Sequence, residues 1–395
     1  MKPIPLSPGA DFAIRRLESL GYECYAVGGC VRDSLLGKSP NDWDLTTSAT
    51  PSEMISAFSD FRVIETGAKH GTITVLYQKE PLEITTFRKD GAYADHRHPT
   101  VVTFSKTVED DLSRRDFTVN AMAYHPEKGL IDLFDGQKDL KNGVIRCVGN
   151  ADIRFHEDGL RILRAVRFAS ALGFELEENT AHAARNCAFL LDGIAKERIR
   201  IEWSKLLLGK KPTVILQNYP EIFLVFLPEI FPITQRTLDF LEHAPLDLPL
   251  RLSLLFDSEE NAKSALLRLR YDNDTQEKTV SLIKLQKTPL DSTEVGLRRL
   301  LRNTPAETVD RYLAVLECKG IDTHTAKAAL QTIVSRGDCV SLSTLAVSGN
   351  DLIALGIPAG KRVGAVLEAL LDRVIDGSLP NEKNALLTAL KTEKT

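Results

Sequence analysis

Cysteine is sparse and scattered in this chain. The six residues Cys24, Cys30, Cys147, Cys187, Cys318 and Cys339 form no C-x-x-C pair, so neither a thiolate zinc site nor a disulfide framework is signalled. No run approaches the roughly 18 apolar residues of a membrane-spanning helix. The opening Met-Lys-Pro-Ile-Pro-Leu carries no hydrophobic signal core. A large excess of one charge is also missing: 50 Lys plus Arg stand against 54 Asp plus Glu, a formal charge of −4, so a polyanionic partner must be met by locally segregated basic residues. Glycine and proline form no tracts, which excludes collagen-like and wholly disordered readings, and no fixed-period repeat is visible, although the helical two-thirds has room for a weak one. The expectation is a cytoplasmic globular protein with reduced, buried thiols. Its 395 residues suffice for two to three domains.

Two textures divide the chain. Up to about Cys147 a helix over Phe12–Leu20 is followed by short β-rich runs at Cys24–Val27, Phe61–Glu65, Thr72–Tyr77 and Leu82–Phe87, punctuated by Gly, Pro and Asp. Beyond Asp152 leucine and alanine recur at helical spacing: Glu157–Leu172, Thr180–Leu191, Lys196–Leu208 and Glu221–Leu227, then Ala262–Leu269, Thr275–Leu285, Ala306–Leu316, Thr325–Ser335 and Val363–Ile375. The fold class expected is α+β: an α/β head followed by all-α neck, body and tail.

The segment Val27-Gly-Gly-Cys-Val-Arg-Asp-Ser-Leu-Leu-Gly37 reads as a strand end, a turn without side chains at Gly28 and Gly29, and a short helix stopped by Gly37. Backbone N–H groups at such a turn suit a phosphate, and Arg32 adds a forked cationic donor. Asp42 and Asp44 follow, two apart in what reads as a strand, so both carboxylates leave the same face and repel unless a cation such as Mg2+ lies between them. Each feature alone is weak, since a D-x-D is usually two solvated acids. Strand, Gly-Gly, helix and D-x-D within 20 residues form a nucleotidyl-transfer layout.

The string GGCVRDSLLGKSPNDWDLTTSATP resembles the first motif of the bacterial tRNA nucleotidyltransferases, the class II CCA-adding enzymes and their poly(A) polymerase relatives of the polymerase-beta superfamily. Three more motifs follow in family order: SRRDFTVNAMAY (113–124), RFHEDGLRILRAVRFASALGF (154–174) and KERIRIEWSKLLLG (196–209). The likeness resumes in LAVSGNDLIALGIPAGKRVG near the C-terminus. It implies template-independent addition of CCA to the tRNA 3′ end from CTP and ATP, with pyrophosphate released and Mg2+ as cofactor. It also implies a head at 1–150, a neck carrying the base-reading helix at 151–215, a body at 216–310 and a tRNA-binding tail at 311–395.

Carried over by position, phosphate and metal contacts fall on Gly28, Gly29, Arg32, Asp42 and Asp44. Glu83, on a neighbouring strand between inward Leu82 and Ile84, is the third acid expected to face the D-x-D, alternatively a solvated strand-edge residue. Arg115 matches a nucleotide contact, with Asp116 and Asn120 buttressing it or holding the sugar. Arg164 and Arg167 match residues near the triphosphate; read without the family, three arginines in seven residues need anions, which a salt-bridged surface would also supply. Asp158 and Arg161 match a protein template for the incoming base. Cytosine and adenine both pair an amino donor with a ring-nitrogen acceptor, whereas uracil and guanine reverse that order. A carboxylate beside a guanidinium therefore accepts C and A and rejects U and G.

Arg88–Thr100, RKDGAYADHRHPT, reads as a mobile polar loop beside the site, and the resemblance links a loop there to the switch from C to A. The segment HAPLDLPLRLSLLFDSEE holds His243 but no His-Asp pair, so no metal hydrolase domain is expected. Gly349–Asp351 and Gly360–Arg362 resemble a tail element in which a basic helix start holds a tRNA phosphate; an ordinary helix cap reads equally well. Poly(A) polymerase is disfavoured by the acidic balance and the short C-terminus. Enzymes adding only CC or only A share these motifs, and a non-catalytic tRNA-binding protein is disfavoured by the intact Asp42 and Asp44.

Overall fold

The computed structural model describes residues 3–90 and 102–392, which divide into two compact units, Met1–Phe231 and Pro232–Thr395. The first unit is built on strands β1 (Cys24–Val27), β2 (Asp44–Thr47), β3 (Arg62–Ile64), β4 (Thr72–Tyr77), β5 (Glu80–Thr86), β6 (Arg88–Asp90), β7 (Val102–Phe104), β8 (Met122–His125) and β9 (Gly129–Asp132). Seven of them form one sheet in the order β3-β4-β5-β2-β1-β8-β9, while β6 and β7 pair separately. Within the large sheet β2 and β5 run parallel and the other neighbours antiparallel. β1 is buried along its whole length, as expected of a strand near the middle of a covered sheet.

Helices α1 (Pro8–Ser19), α2 (Gly29–Leu35), α3 (Pro51–Ala57), α4 (Val108–Ser113) and α5 (Gly136–Asn142) accompany the sheet. Ser7 caps α1, its hydroxyl accepting from the Ala10 N–H at 3.1 Å, and Ala13, Ile14 and Leu17 bury one stripe of that helix. Helices α6 (Ala151–Glu157), α7 (Leu160–Leu172), α8 (Glu178–Asn186) and α9 (Lys196–Leu207) follow in the same unit. The long helix expected over Glu157–Leu172 is in fact two. Asp158 is extended (φ −144°, ψ 104°), and its carboxylate accepts from the Leu160 N–H at 3.0 Å, which closes α6 and starts α7.

Two further expectations need correction. The strand containing the D-x-D begins only at Asp44, with Asp42 in the bend before it; the alternation survives, because Trp43 is buried between two exposed acids. Strands β8 and β9 were absent from the reading of the sequence. Of the segment Arg88–Thr100, Arg88–Asp90 is strand β6, and the rest lies outside the described residues.

Among the described residues of the second unit the regular structure is helical throughout. One core gathers Leu297, Val309, Leu313, Ala326, Leu330 and Ile333, and another Leu352, Leu370, Leu371, Ile375 and Leu386. The Gly349–Asp351 motif begins a helix through a capping box. The Asp351 carboxylate accepts from the Ser348 N–H at 2.9 Å while also pairing with Lys383 at 2.6 Å. Lys361 and Arg362 stand exposed at the start of the Lys361–Ile375 helix.

Candidate active site

β1 ends at Val27, and the chain turns at Gly28 with φ +83°, a conformation that L side chains rarely adopt. A side chain there would also be crowded, because a Cβ on Gly28 would lie 3.0 Å from Nη1 of Arg115 and the guanidinium would have to give way. The turn therefore packs directly against a guanidinium. Arg115 in turn donates to Oδ2 of Asp111 at 3.1 Å, and Arg114 to Oδ1 at 2.6 Å. Asp111 is fully buried; burial opposes its charge, but Arg115 and Arg114 prevail and hold the carboxyl below the usual carboxylate range.

Parallel pairing of β2 with β5 sets Asp44 opposite Glu83 in register, both exposed on the face away from the buried Leu45, Leu82 and Ile84. Crowding by protein, then Asp42, then Glu83 push the Asp44 carboxyl up to about 6, against the pull of Arg115. Negative charge is thus in excess along this edge, which suits a divalent cation. Among the described residues no three His, Cys, Asp or Glu side chains are gathered into a cage for an ion. Magnesium is ordinarily held by one or two carboxylates, with water and substrate phosphates completing its shell, and the donor set here fits that mode.

A second layer comprises basic side chains, each with its own acid or amide. Arg32 donates from Nη1 to Asn120 Oδ1 at 2.7 Å and from Nε to Asp33 at 2.9 Å. Arg164 grips Asp116, Nε to Oδ2 at 2.8 Å and Nη2 to the same oxygen at 2.6 Å. Asp116 is buried, which opposes its ionisation, yet Arg164 outweighs burial and brings its carboxyl down to about 2. Arg167 donates to the buried Glu202 at 2.8 Å. Asp116 and Asn120 therefore hold Arg164 and Arg32, whereas the partner of Arg115 is Asp111.

At the α6–α7 junction the Asp158 carboxylate is gripped by Arg198 of α9, Nη2 to Oδ2 at 2.8 Å. Arg161 is buried, ion-paired to Glu157, and donates from Nη2 to the Arg114 carbonyl at 3.2 Å and from Nη1 to the Arg154 carbonyl at 3.3 Å. Asp111, Arg198 and Glu202 escape a reading of the sequence alone. Their one signal is position: Asp111 lies four residues before Arg115, one helical turn, and Arg198 and Glu202 fall inside the fourth motif.

A Gly-Gly turn after a strand, an acid pair on the adjoining strands and a bank of tethered arginines define a nucleotidyltransferase head. Residues 24–146 match the family model described as the poly A polymerase head domain. Residues 173–233 match a probable RNA- and SrmB-binding site of polymerase A, and 250–390 a tRNA nucleotidyltransferase domain. The CCA-adding enzyme of Ligilactobacillus salivarius is 35% identical over 387 residues, covering 96% of this chain and 94% of its own. That of Lactobacillus delbrueckii subsp. bulgaricus is 52% identical over 197 residues, half of this chain. The crystal structure of the Bacillus stearothermophilus CCA-adding enzyme in complex with CTP superposes with a TM-score of 0.84 at 29% identity, covering 98% of this chain and 99% of that one. The chain belongs to the CCA-adding enzyme family of tRNA nucleotidyltransferases.

Proposed function

We propose that this protein builds the CCA terminus of tRNA without a nucleic-acid template, using CTP and ATP and releasing pyrophosphate. The observation that carries this reading is similarity to CCA-adding enzymes from end to end of the chain. In the reaction the terminal 3′-oxygen of tRNA forms a bond to the α-phosphorus of the nucleotide as the bond to the bridging α–β oxygen breaks, and the 3′-hydroxyl proton is lost. Magnesium held by Asp42 and Asp44 would lower the pKa of the attacking hydroxyl and offset charge on the leaving oxygens.

The protein's own groups do the rest. Glu83 keeps the acid edge strongly negative, and Arg32, Arg115, Arg164 and Arg167 carry the phosphate charge with the Gly28–Gly29 turn beneath them. Asp158 accepts the amino proton of C or A while Arg161 donates to the ring nitrogen. The reading is supported by the separate tethers on Asp158 and Arg161, which limit how far either side chain can adapt to a wrong base.

Within this proposal residues 1–150 form the head, 151–215 the neck, 216–310 the body and 311–395 the tail. Body and tail recognise the acceptor arm by shape and phosphate contacts, with Lys361 and Arg362 among the latter. No helix among the described residues is long and apolar enough to cross a membrane, and the reading places the protein in the cytoplasm with its tRNA substrate. The test is a tRNA transcript lacking its 3′ trinucleotide, incubated with CTP, ATP and Mg2+. The expected product is three nucleotides longer and ends in CCA; a product stalled at CC, a single added A or a poly(A) ladder would overturn the assignment.

A further inference from the structure

One aromatic ring sits among three of the site's arginines. Phe168 of α7 is buried, with 6% of its surface exposed. The guanidinium carbon of Arg167 lies 3.4 Å above its ring centroid, that of Arg32 at 5.2 Å and that of Arg164 at 5.4 Å. The ring is fixed by an edge contact with Phe117, centroids 5.8 Å apart and planes at 77°. Phe117 also donates its backbone N–H to Asp116 at 2.9 Å, the acid that grips Arg164.

Three like charges around one point repel, and their polar partners serve them singly or in pairs: Asn120 and Asp33 hold Arg32, Asp116 holds Arg164, and Glu202 reaches both Arg167 at 2.8 Å and Arg164 at 3.7 Å. Asn120 also donates to Asp116 at 3.3 Å, so these partners are linked, but none of them gives all three guanidiniums a common anchor. The negative π face of the ring does, because it attracts a cation without adding a formal charge to compete with a phosphate. A leucine would fill similar space and offer no such face.

We propose that Phe168 is a positioning residue, a π platform that holds Arg32, Arg164 and Arg167 together as one receptor for the nucleotide triphosphate. The proposal rests on the reading of these arginines as triphosphate contacts. Because the triphosphate is common to CTP and ATP, weakening the platform raises the Kd of both in parallel and leaves base choice untouched. A desolvated cation–π contact corresponds to about a 2- to 30-fold change in an equilibrium constant.

The test compares Phe168→Leu, replacement of Phe168 by 3,4,5-trifluorophenylalanine, and Arg164→Ala in the full-length chain. The trifluoro ring keeps its packing but loses most of its negative face, so it remains informative if the leucine variant folds poorly. Nucleotide Kd, kcat and misincorporation of UTP and GTP are read for each. The expected result is a parallel rise in Kd for CTP and ATP, about 3- to 30-fold for leucine and smaller for the fluorinated ring, with kcat and misincorporation within about twofold. A fluorinated protein that binds both nucleotides like the parent, while Arg164→Ala binds them weakly, would show that the ring only packs. Unchanged binding in Arg164→Ala would remove the triphosphate reading, and the platform with it.

Discussion

Asp116→Asn keeps the shape of the side chain and deletes its charge, so it isolates what the fold gains from the Arg164 grip. The carboxyl moves from its ordinary 3.8 to about 2, since Arg164 outweighs the cost of burial. At about 1.4 kcal/mol per pH unit, the folded state prefers the charged form by about 2 kcal/mol. The neutral amide should therefore destabilise the first unit by about 2 kcal/mol at pH 7, a figure kept modest because a third of the Arg164 side chain still meets solvent. A folded pKa below the unfolded one gives a contribution present above pH 3.8 and lost as pH falls through about 2. The gap between parent and variant should thus stay flat from pH 5 to 8. Urea unfolding followed by tryptophan fluorescence suits the measurement, because both tryptophans, the buried Trp43 and Trp203, lie in the first unit. In a double-mutant cycle with Arg164→Gln the two changes should couple by about 1–2 kcal/mol. Coupling below about 0.5 kcal/mol, or a gap that closes between pH 8 and 5, would refute the reasoning.

Three further outcomes are expected. Asp42→Asn and Asp44→Asn should each lower incorporation of both CMP and AMP by about 100-fold or more while tRNA affinity, read by filter binding, stays within about twofold; residual turnover above about 10% would sink the metal-site assignment. Asp158→Ala and Arg161→Ala should admit UTP and GTP while slowing CTP and ATP, and Arg198→Ala should share part of that phenotype by releasing Asp158; discrimination as sharp as the parent's in Arg161→Ala would end the base-reading role. In metal-free protein the Asp44 carboxyl, followed by carbon NMR, should titrate near pH 6. Its folded pKa is raised, so its contribution to stability is present below pH 3.8 and lost as pH rises through about 6; Glu83→Gln should lower the midpoint, and a parent midpoint below about 4.5 would contradict the crowding argument.

Local patterns made much of this architecture legible. The strand Thr72–Tyr77 was readable from its alternation, and the strand Cys24–Val27 as a short apolar run stopped by the Gly28 turn, because alternation and glycine punctuation are properties of neighbouring residues. The break at Asp158 was hidden, because hydrophobic periodicity continues across it while only the backbone of one residue departs from the helix. Strand β8 is buried at every position and shows no alternation to read. The helix Leu248–Leu255 escaped for a related reason, being apolar on nearly all sides. Most of the candidate site residues stand on recognisable motifs, but the motifs do not give their pairings: which acid serves which arginine depends on pairs such as Arg164 with Asp116, 48 residues apart, that only the assembled chain brings together.

Opposing Asp44 and Glu83 on adjacent parallel strands makes the backbone ladder a ruler for the site. Neighbouring strands lie about 4.8 Å apart, so the origin of each acid is set by main-chain hydrogen bonds and not by a side-chain choice. A slip of β5 by one residue would turn Glu83 to the opposite face and bring its buried neighbours Leu82 and Ile84 into solvent, at the full cost of exposing two core side chains. The apolar core under the sheet is thereby the gauge that keeps the two carboxylates at their spacing, and substitutions at Leu82 or Ile84, which face the other way, should register as errors of the proposed chemistry as well as losses of stability.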